Sequence, residues 1–114
     1  MAFKITITED AESQLKGLST REQRTLEAAV LSRLPDQPTN PTRAIKRLRP
    51  NPFAEYELRV GELRVLYNVE GDEVVLLVVG RKVGNKLIVA GEEFHEHQDD
   101  PPQSPGGESA GNAE

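Results

Sequence analysis

Three arginines carry the most specific chemical suggestion in this chain. Arg59 and Arg64 flank Gly61-Glu62, and Arg81 follows an apolar run that ends at Gly80. If Gly61-Glu62 is a two-residue turn with Gly in its first place, Val60 pairs with Leu63, Arg59 with Arg64, Leu58 with Val65 and Tyr56 with Tyr67. Like charges directly opposed in a sheet cost up to about 1 kcal/mol. Guanidinium groups gathered at such a cost suit a polyoxyanion, whose oxygens their planar N–H forks grip in pairs. A second tight turn at Gly71-Asp72 pairs Glu70 with Glu73 and, by unbroken alternation, Arg64 with Val79. Arg81 then falls on the same outward face, diagonal to Arg64. The three-arginine surface holds provided no bulge interrupts either hairpin. A purely structural alternative pairs the arginines with Glu57 and Glu62, as surface ion pairs of little worth.

A second basic feature lies upstream. Residues 43–49 (RAIKRLR) contain Arg43, Lys46, Arg47 and Arg49. A charged sheet edge is one reading, because edge strands use Lys and Arg against aggregation. The other extends the arginine face into a groove for a polyanion. Together with Arg59, Arg64, Arg81, Lys82 and Lys86, this segment holds nine of the chain's 14 basic residues, a polarity that favours phosphate binding.

The net charge of −5 does not oppose that reading, because it belongs elsewhere. Residues 95–114 carry Glu96, Asp99, Asp100, Glu108 and Glu114 with no Lys or Arg. Setting those five apart leaves 14 acidic against 14 basic residues over 1–94. The same stretch has three Pro, three Gly and no Val, Ile, Leu or aromatic residue, so it is expected to be a disordered acidic tail.

Other chemistry is thin. Cysteine is absent, which excludes disulfides, thiolate metal sites and a cysteine nucleophile, and fits a reducing compartment. His95-Glu96-His97 has metal-capable types but no third ligand nearby, so no metal site and no cofactor are expected. The chain contains no phosphate-cradling glycine loop, GxSxG or HExxH. No apolar run reaches the ~18–20 residues of a membrane span and no signal-peptide pattern opens the chain, so a soluble cytoplasmic protein is expected.

The elements that must position these groups follow from periodicity. Phe3, Ile5 and Ile7 alternate with Lys4, Thr6 and Thr8, the pattern of a half-buried strand. Thr8, with Glu9 and Asp10 behind it, predicts a helix start, and Ala11, Leu15 and Leu18 share one face. Ser19 and Glu22 form a capping-box pattern for a second helix that buries Leu26, Ala29, Val30 and Leu34 and stops at Pro35. After a Pro-rich connection at 35–42 the period becomes two. Residues 56–60, 63–69 and 74–82 predict three strands of a meander, the last apolar enough to be central and covered on both faces. Residues 86–90 suggest one more. The expected fold is α+β, an N-terminal strand and helical hairpin packed on a small, mainly antiparallel sheet.

The helical hairpin, the segment IKRLRP and the stretch YELRVGELRVLYNVEGDEVVLLVVGRK together resemble the RelE/ParE superfamily of type II toxin–antitoxin toxins. The resemblance covers about residues 2–94, so residues 1–94 are expected to be a toxin-like domain, and it is most specific at RVGELRVLYNV and VVGRK. It implies a RelE-like fold, a cognate antitoxin, and metal-free cleavage of mRNA on the ribosome by an endoribonuclease that arrests translation. In that reading Arg59, Arg64 and either Arg81 or Lys82 are catalytic, with RNA held by Arg43, Lys46, Arg47, Arg49 and Lys86. Parity selects Arg81, whereas gapless matching to the family's arginine selects Lys82. Two departures stand out: Glu57 occupies a position that is basic in the RNases, and Lys86, Leu87 and Ile88 stand where the family has a tyrosine. The resemblance therefore also admits a ParE-like inhibitor of DNA gyrase, or an inactive module of the same fold that binds an antitoxin.

Overall fold

The computed structural model describes residues 2–94; the expected acidic tail and the His95-Glu96-His97 motif lie outside them. The chain runs β1 (Lys4–Ile7), α1 (Glu9–Lys16), α2 (Thr20–Arg33), β2 (Ile45–Arg47), β3 (Tyr56–Val60), β4 (Leu63–Glu70), β5 (Glu73–Val83), β6 (Lys86–Val89) and β7 (Glu92–Phe94). Both helix starts form as their sequences dictate. The Thr8 hydroxyl accepts from the Ala11 N–H, and Ser19 and Glu22 make a complete capping box. Among the described residues no helix is long and apolar enough to cross a membrane.

The sheet is ordered β2-β3-β4-β5-β6-β7, with β1 joined to β5. β5 therefore has β4 along one edge and two partners on the other. β1 runs parallel to its first half, pairing Ile7 with Leu76, and β6 runs antiparallel to its second half, pairing Arg81 with Ile88. Between them the Val79 N–H donates to Oε1 of Gln14 on α1, 2.8 Å away, so the gap in the ladder leaves no orphan donor there.

One face of the sheet carries the helices. Leu58, Val65, Tyr67, Val74, Leu76 and Val79 meet Ala11, Leu26, Val30 and Leu34 in the larger core. Burying one such aliphatic side chain contributes roughly 1.5–3 kcal/mol. Tyr67 is fully buried, stacked on Tyr56 with ring centroids 5.5 Å apart, and its hydroxyl donates to the Pro38 carbonyl at 2.6 Å. That bond anchors the Pro-rich connection to the sheet, and burial pushes the Tyr67 hydroxyl above the usual tyrosine range.

The opposite face is covered over part of its length, as the apolar run of the third predicted strand requires. Leu48, Ala54, Leu66, Val78, Leu87 and Val89 form a second core, against which Leu77 and Phe94 pack. The β6–β7 hairpin and the residues before β3 come together over this face, with the Phe94 and Phe53 rings edge-on at 5.0 Å. β7 has no forerunner in the sequence reading, since Glu92-Glu93-Phe94 is too short to show a period.

The first hairpin keeps the expected register at every pair, from Tyr56–Tyr67 to Val60–Leu63, with Arg59 opposite Arg64. The second keeps Glu70 opposite Glu73 but shifts between Leu66 and Tyr67, where the partners jump from Val78 to Leu76. Leu77 is the extra residue of a β-bulge. The expected Arg64–Val79 pair is consequently replaced by Arg64–Gly80, and Arg81 faces Leu63.

Three of the four tight turns place glycine first with positive φ, as at Gly61 (60°) and Gly71 (63°), and the residue after it has negative φ. The β6–β7 turn differs. Ala90 sits at φ 53° ahead of Gly91 at 84°, and Ala90 is the described residues' one non-glycine with positive φ. An L-residue with a Cβ is strained there by about 1–2 kcal/mol, a cost that Asn largely escapes. Ala90→Asn is expected to stabilise the protein by about 0.5–1 kcal/mol, read as a higher chemical-denaturation midpoint with an unchanged m-value. A lower midpoint would contradict this turn geometry.

Candidate anion-binding site

The basic residues divide according to strand parity. On the face away from the helices, Lys46 pairs with Glu57, Arg59 with Arg64, Arg64 with Gly80, and Lys82 with Leu87. Lys46, Arg59, Arg64 and Lys82 are therefore brought to one side, the last three at the end of the sheet nearest the Gly61-Glu62 turn. Arg81 is not among them.

The repulsion between the opposed arginines is absorbed locally. Glu57 is the buried charged residue of the described chain, at 3% exposure, and its Oε1 lies 3.3 Å from Nε of Arg59. A carboxylate taken out of water needs such a partner, and Lys46 stands opposite it on the other side. The structural alternative of an Arg59–Glu57 ion pair is thus present. Arg64 is held differently: its Nη1 donates to the carbonyls of Gly61 at 2.7 Å and Leu63 at 2.8 Å. The guanidinium is fixed by its own turn, and among the described residues its Nε and Nη2 donors have no hydrogen-bond partner. Arg64 and Lys82 have no ion-pair partner among the described residues, which leaves their charge available for an anion.

At the β2 edge the 43–49 segment shapes an open groove of about 620 Å³, lined by Pro41, Thr42, Arg43, Ile45, Lys46, Arg47 and Arg59. Among the described residues no carboxylate lines it. Arg47 takes the helix-side parity, with its guanidinium carbon 5.5 Å from the Tyr56 ring centroid and Nη1 donating to the Tyr56 hydroxyl at 3.2 Å. Arg49 lies past the end of β2 and does not line the groove. Lys86 opens β6 on the parity of Arg81, with its Nζ 3.9 Å from Glu93.

Arg81 is the clear correction. The Leu77 bulge turns its side chain to the helix face, where Nη1 meets Oε2 of Glu22 at 2.7 Å. Lys82, one residue on, returns to the side of Arg64. Of the two positions left open by the sequence, the geometry puts Lys82 with the other cations and makes Arg81 a clasp between β5 and α2. Glu22 had been legible as a capping residue; its second partner was not, because nothing local in the sequence joins it to a strand 59 residues away. Among the described residues no group of three or more His, Cys, Asp or Glu side chains could hold a metal ion.

No protein-family model matches the chain, and no curated protein sequence does either. Solved structures do match. A chain of the toxin–antitoxin complex RelBE2 from Mycobacterium tuberculosis superposes with a TM-score of 0.63 at 24% identity, covering 72% of this chain and 100% of its own. A chain of the archaeal RelE–RelB complex from Pyrococcus horikoshii superposes with a TM-score of 0.58 at 17% identity, covering 74% and 98%. The architecture is the expected α+β arrangement of two helices on a mainly antiparallel sheet. More particularly, the fold is RelE-like.

The Arg81 clasp has a measurable signature. The hydrogen bond from Arg81, reinforced by the Ser19 backbone N–H, pulls the Glu22 carboxyl from 4.5 down to about 2. A depressed acid stabilises the fold above its unfolded pKa, and that contribution is lost as pH falls through the folded value. Glu22→Gln is expected to lower the thermal midpoint at pH 7, with the difference from the parent shrinking between pH 4.5 and about 2. A pH-independent difference would mean that the clasp is not ionic.

Proposed function

We propose that this protein is the toxin of a toxin–antitoxin pair and that it cleaves mRNA in translating ribosomes. The reading rests on one observation: a RelE-like fold that presents Arg59, Arg64 and Lys82 together on the face away from its helices. One structural neighbour comes from a toxin–antitoxin complex and another from a RelE–RelB complex, which supports a cognate antitoxin as the partner.

In this reading the RNA supplies its own nucleophile. The 2′-oxygen attacks the adjacent phosphorus, the bond to the 5′-oxygen breaks, and negative charge builds on the non-bridging oxygens. Arg64, already immobilised by two turn carbonyls, donates its remaining N–H groups to those oxygens with little reorganisation. Lys82 adds a point charge, and Arg59 a guanidinium partly neutralised by Glu57. Arg43, Lys46 and Arg47 hold flanking phosphates in the edge groove. The family's tyrosine is absent, so charge stabilisation carries this scheme, with no tyrosine to serve the proton transfers.

One observation favours a second reading. A buried glutamate paired with Arg59 withdraws part of the cationic charge, which suits a RelE-fold protein that binds an antitoxin without cutting RNA.

The readings separate on induced expression and in translating extracts. Arg64→Ala is expected to relieve growth arrest and lower mRNA cleavage by about 10²–10³-fold, the usual loss for one pre-placed donor. Lys82→Ala is expected to reduce cleavage as well, and Arg81→Ala to leave the rate unchanged below its unfolding temperature. Uncut mRNA together with failing gyrase supercoiling would transfer the proposal to gyrase. No growth defect at all would favour the non-cutting module.

A further inference from the structure

The edge groove combines two features: four cations in its walls and, among the described residues, no carboxylate in its lining. Arg43, Lys46, Arg47 and Arg59 line it. Phe94, the last described residue, pairs with Leu87 in β6, yet its ring lies 5.0 Å from Phe53, in the connection that leads from β2 into β3. Tyr56, three residues after Phe53, pairs with Arg47. Phe94 thus shares with Lys46 and Arg59 the face away from the helices, and it touches the connection between β2 and β3, the strands that supply Lys46, Arg47 and Arg59.

Those residues are the acidic part of the chain. Glu96, Asp99, Asp100, Glu108 and Glu114 fall within 95–114, with no Lys or Arg among them, while residues 1–94 balance 14 acids against 14 bases. Twenty residues reach at most about 66–72 Å when extended, so the span to the groove sets no limit. Covalent attachment holds such a segment at an effective concentration on the order of millimolar, enough to populate contacts that are individually weak.

We propose that the acidic segment 95–114 of the same chain is the occupant of the Arg43/Lys46/Arg47/Arg59 groove, where its carboxylates stand in for a polyanion backbone. The segment acts as an electrostatic competitor for any anionic ligand of that groove. Its occupancy falls as salt rises, because the screening length drops from about 30 Å at 0.01 M to about 3 Å at 1 M. The inference rests on charge complementarity and tether length and stands apart from the nuclease reading.

The chain has no cysteine, so a nitroxide placed by Ser104→Cys on the full-length protein labels a single position. At low ionic strength the label is expected to broaden the backbone amides of residues 43–47 and Arg59 while leaving α2 sharp. The broadening is expected to vanish near 1 M salt, and also in a full-length variant carrying Glu96→Gln, Asp99→Asn, Asp100→Asn and Glu108→Gln. That variant is expected to bind polyuridylate about tenfold more tightly than the parent at low salt, with the gap closing as salt rises. Sharp groove amides at low salt overturn the proposal, as does broadening that survives charge removal. Broadening that appears only when labelled and unlabelled chains are mixed assigns the groove to a second copy's segment and overturns it equally. None of these readings depends on ribosomes or on cleavage.

Discussion

Strand β5 is the constraint on which the rest depends. It is apolar from Val74 to Val79, so it must bury both faces, and its backbone must be paired along both edges. β4 takes one edge in full. The other is shared by β1 and β6, and Gln14 from α1 closes the interval between them. Alternation alone already sends side chains to both faces, and a change of parity along the strand resets which ones go to each. Val74, Leu76 and Val79 serve the core under the helices, whereas Val78 serves the second core. The bulge at Leu77 is the device that permits this, and it decides where every later side chain of β5 points.

The basic surface is a consequence of that parity. Arg64 and Lys82 share a side because one residue of β5 is unpaired, and Arg81 is recruited to hold α2 instead. The close opposition of Arg59 and Arg64 survives because each guanidinium has its own local counterweight, a buried carboxylate for one and two turn carbonyls for the other. Such an arrangement holds the charges still before any ligand arrives, the condition under which fixed cations stabilise developing negative charge most effectively.

The second core has a further consequence. Leu87 and Val89 of β6 pack there with Leu48, Ala54, Leu66 and Val78, and Lys82 stands opposite Leu87, so the cations border this apolar patch. It also brings Phe94 against Phe53 in the connection between β2 and β3. Fold and electrostatics are coupled here: the apolar half of the face fixes the geometry, and the polar half is what remains for recognition.

Local chemistry determined much of this protein directly from sequence. Two capping signals set both helix starts, glycine-first dipeptides set the first hairpin and the start of the second, and alternation set which side of β3 and β4 enters the larger core. The opposition of Arg59 and Arg64 followed, because a two-residue turn admits one register. The side taken by Arg81, the burial of Glu57 and the pairing of β1 with β5 were decided by tertiary structure. Each depends on contacts between segments far apart in sequence. The bulge at Leu77 has no local signal, because an unbroken apolar run such as Val74 to Val79 reads the same in either register.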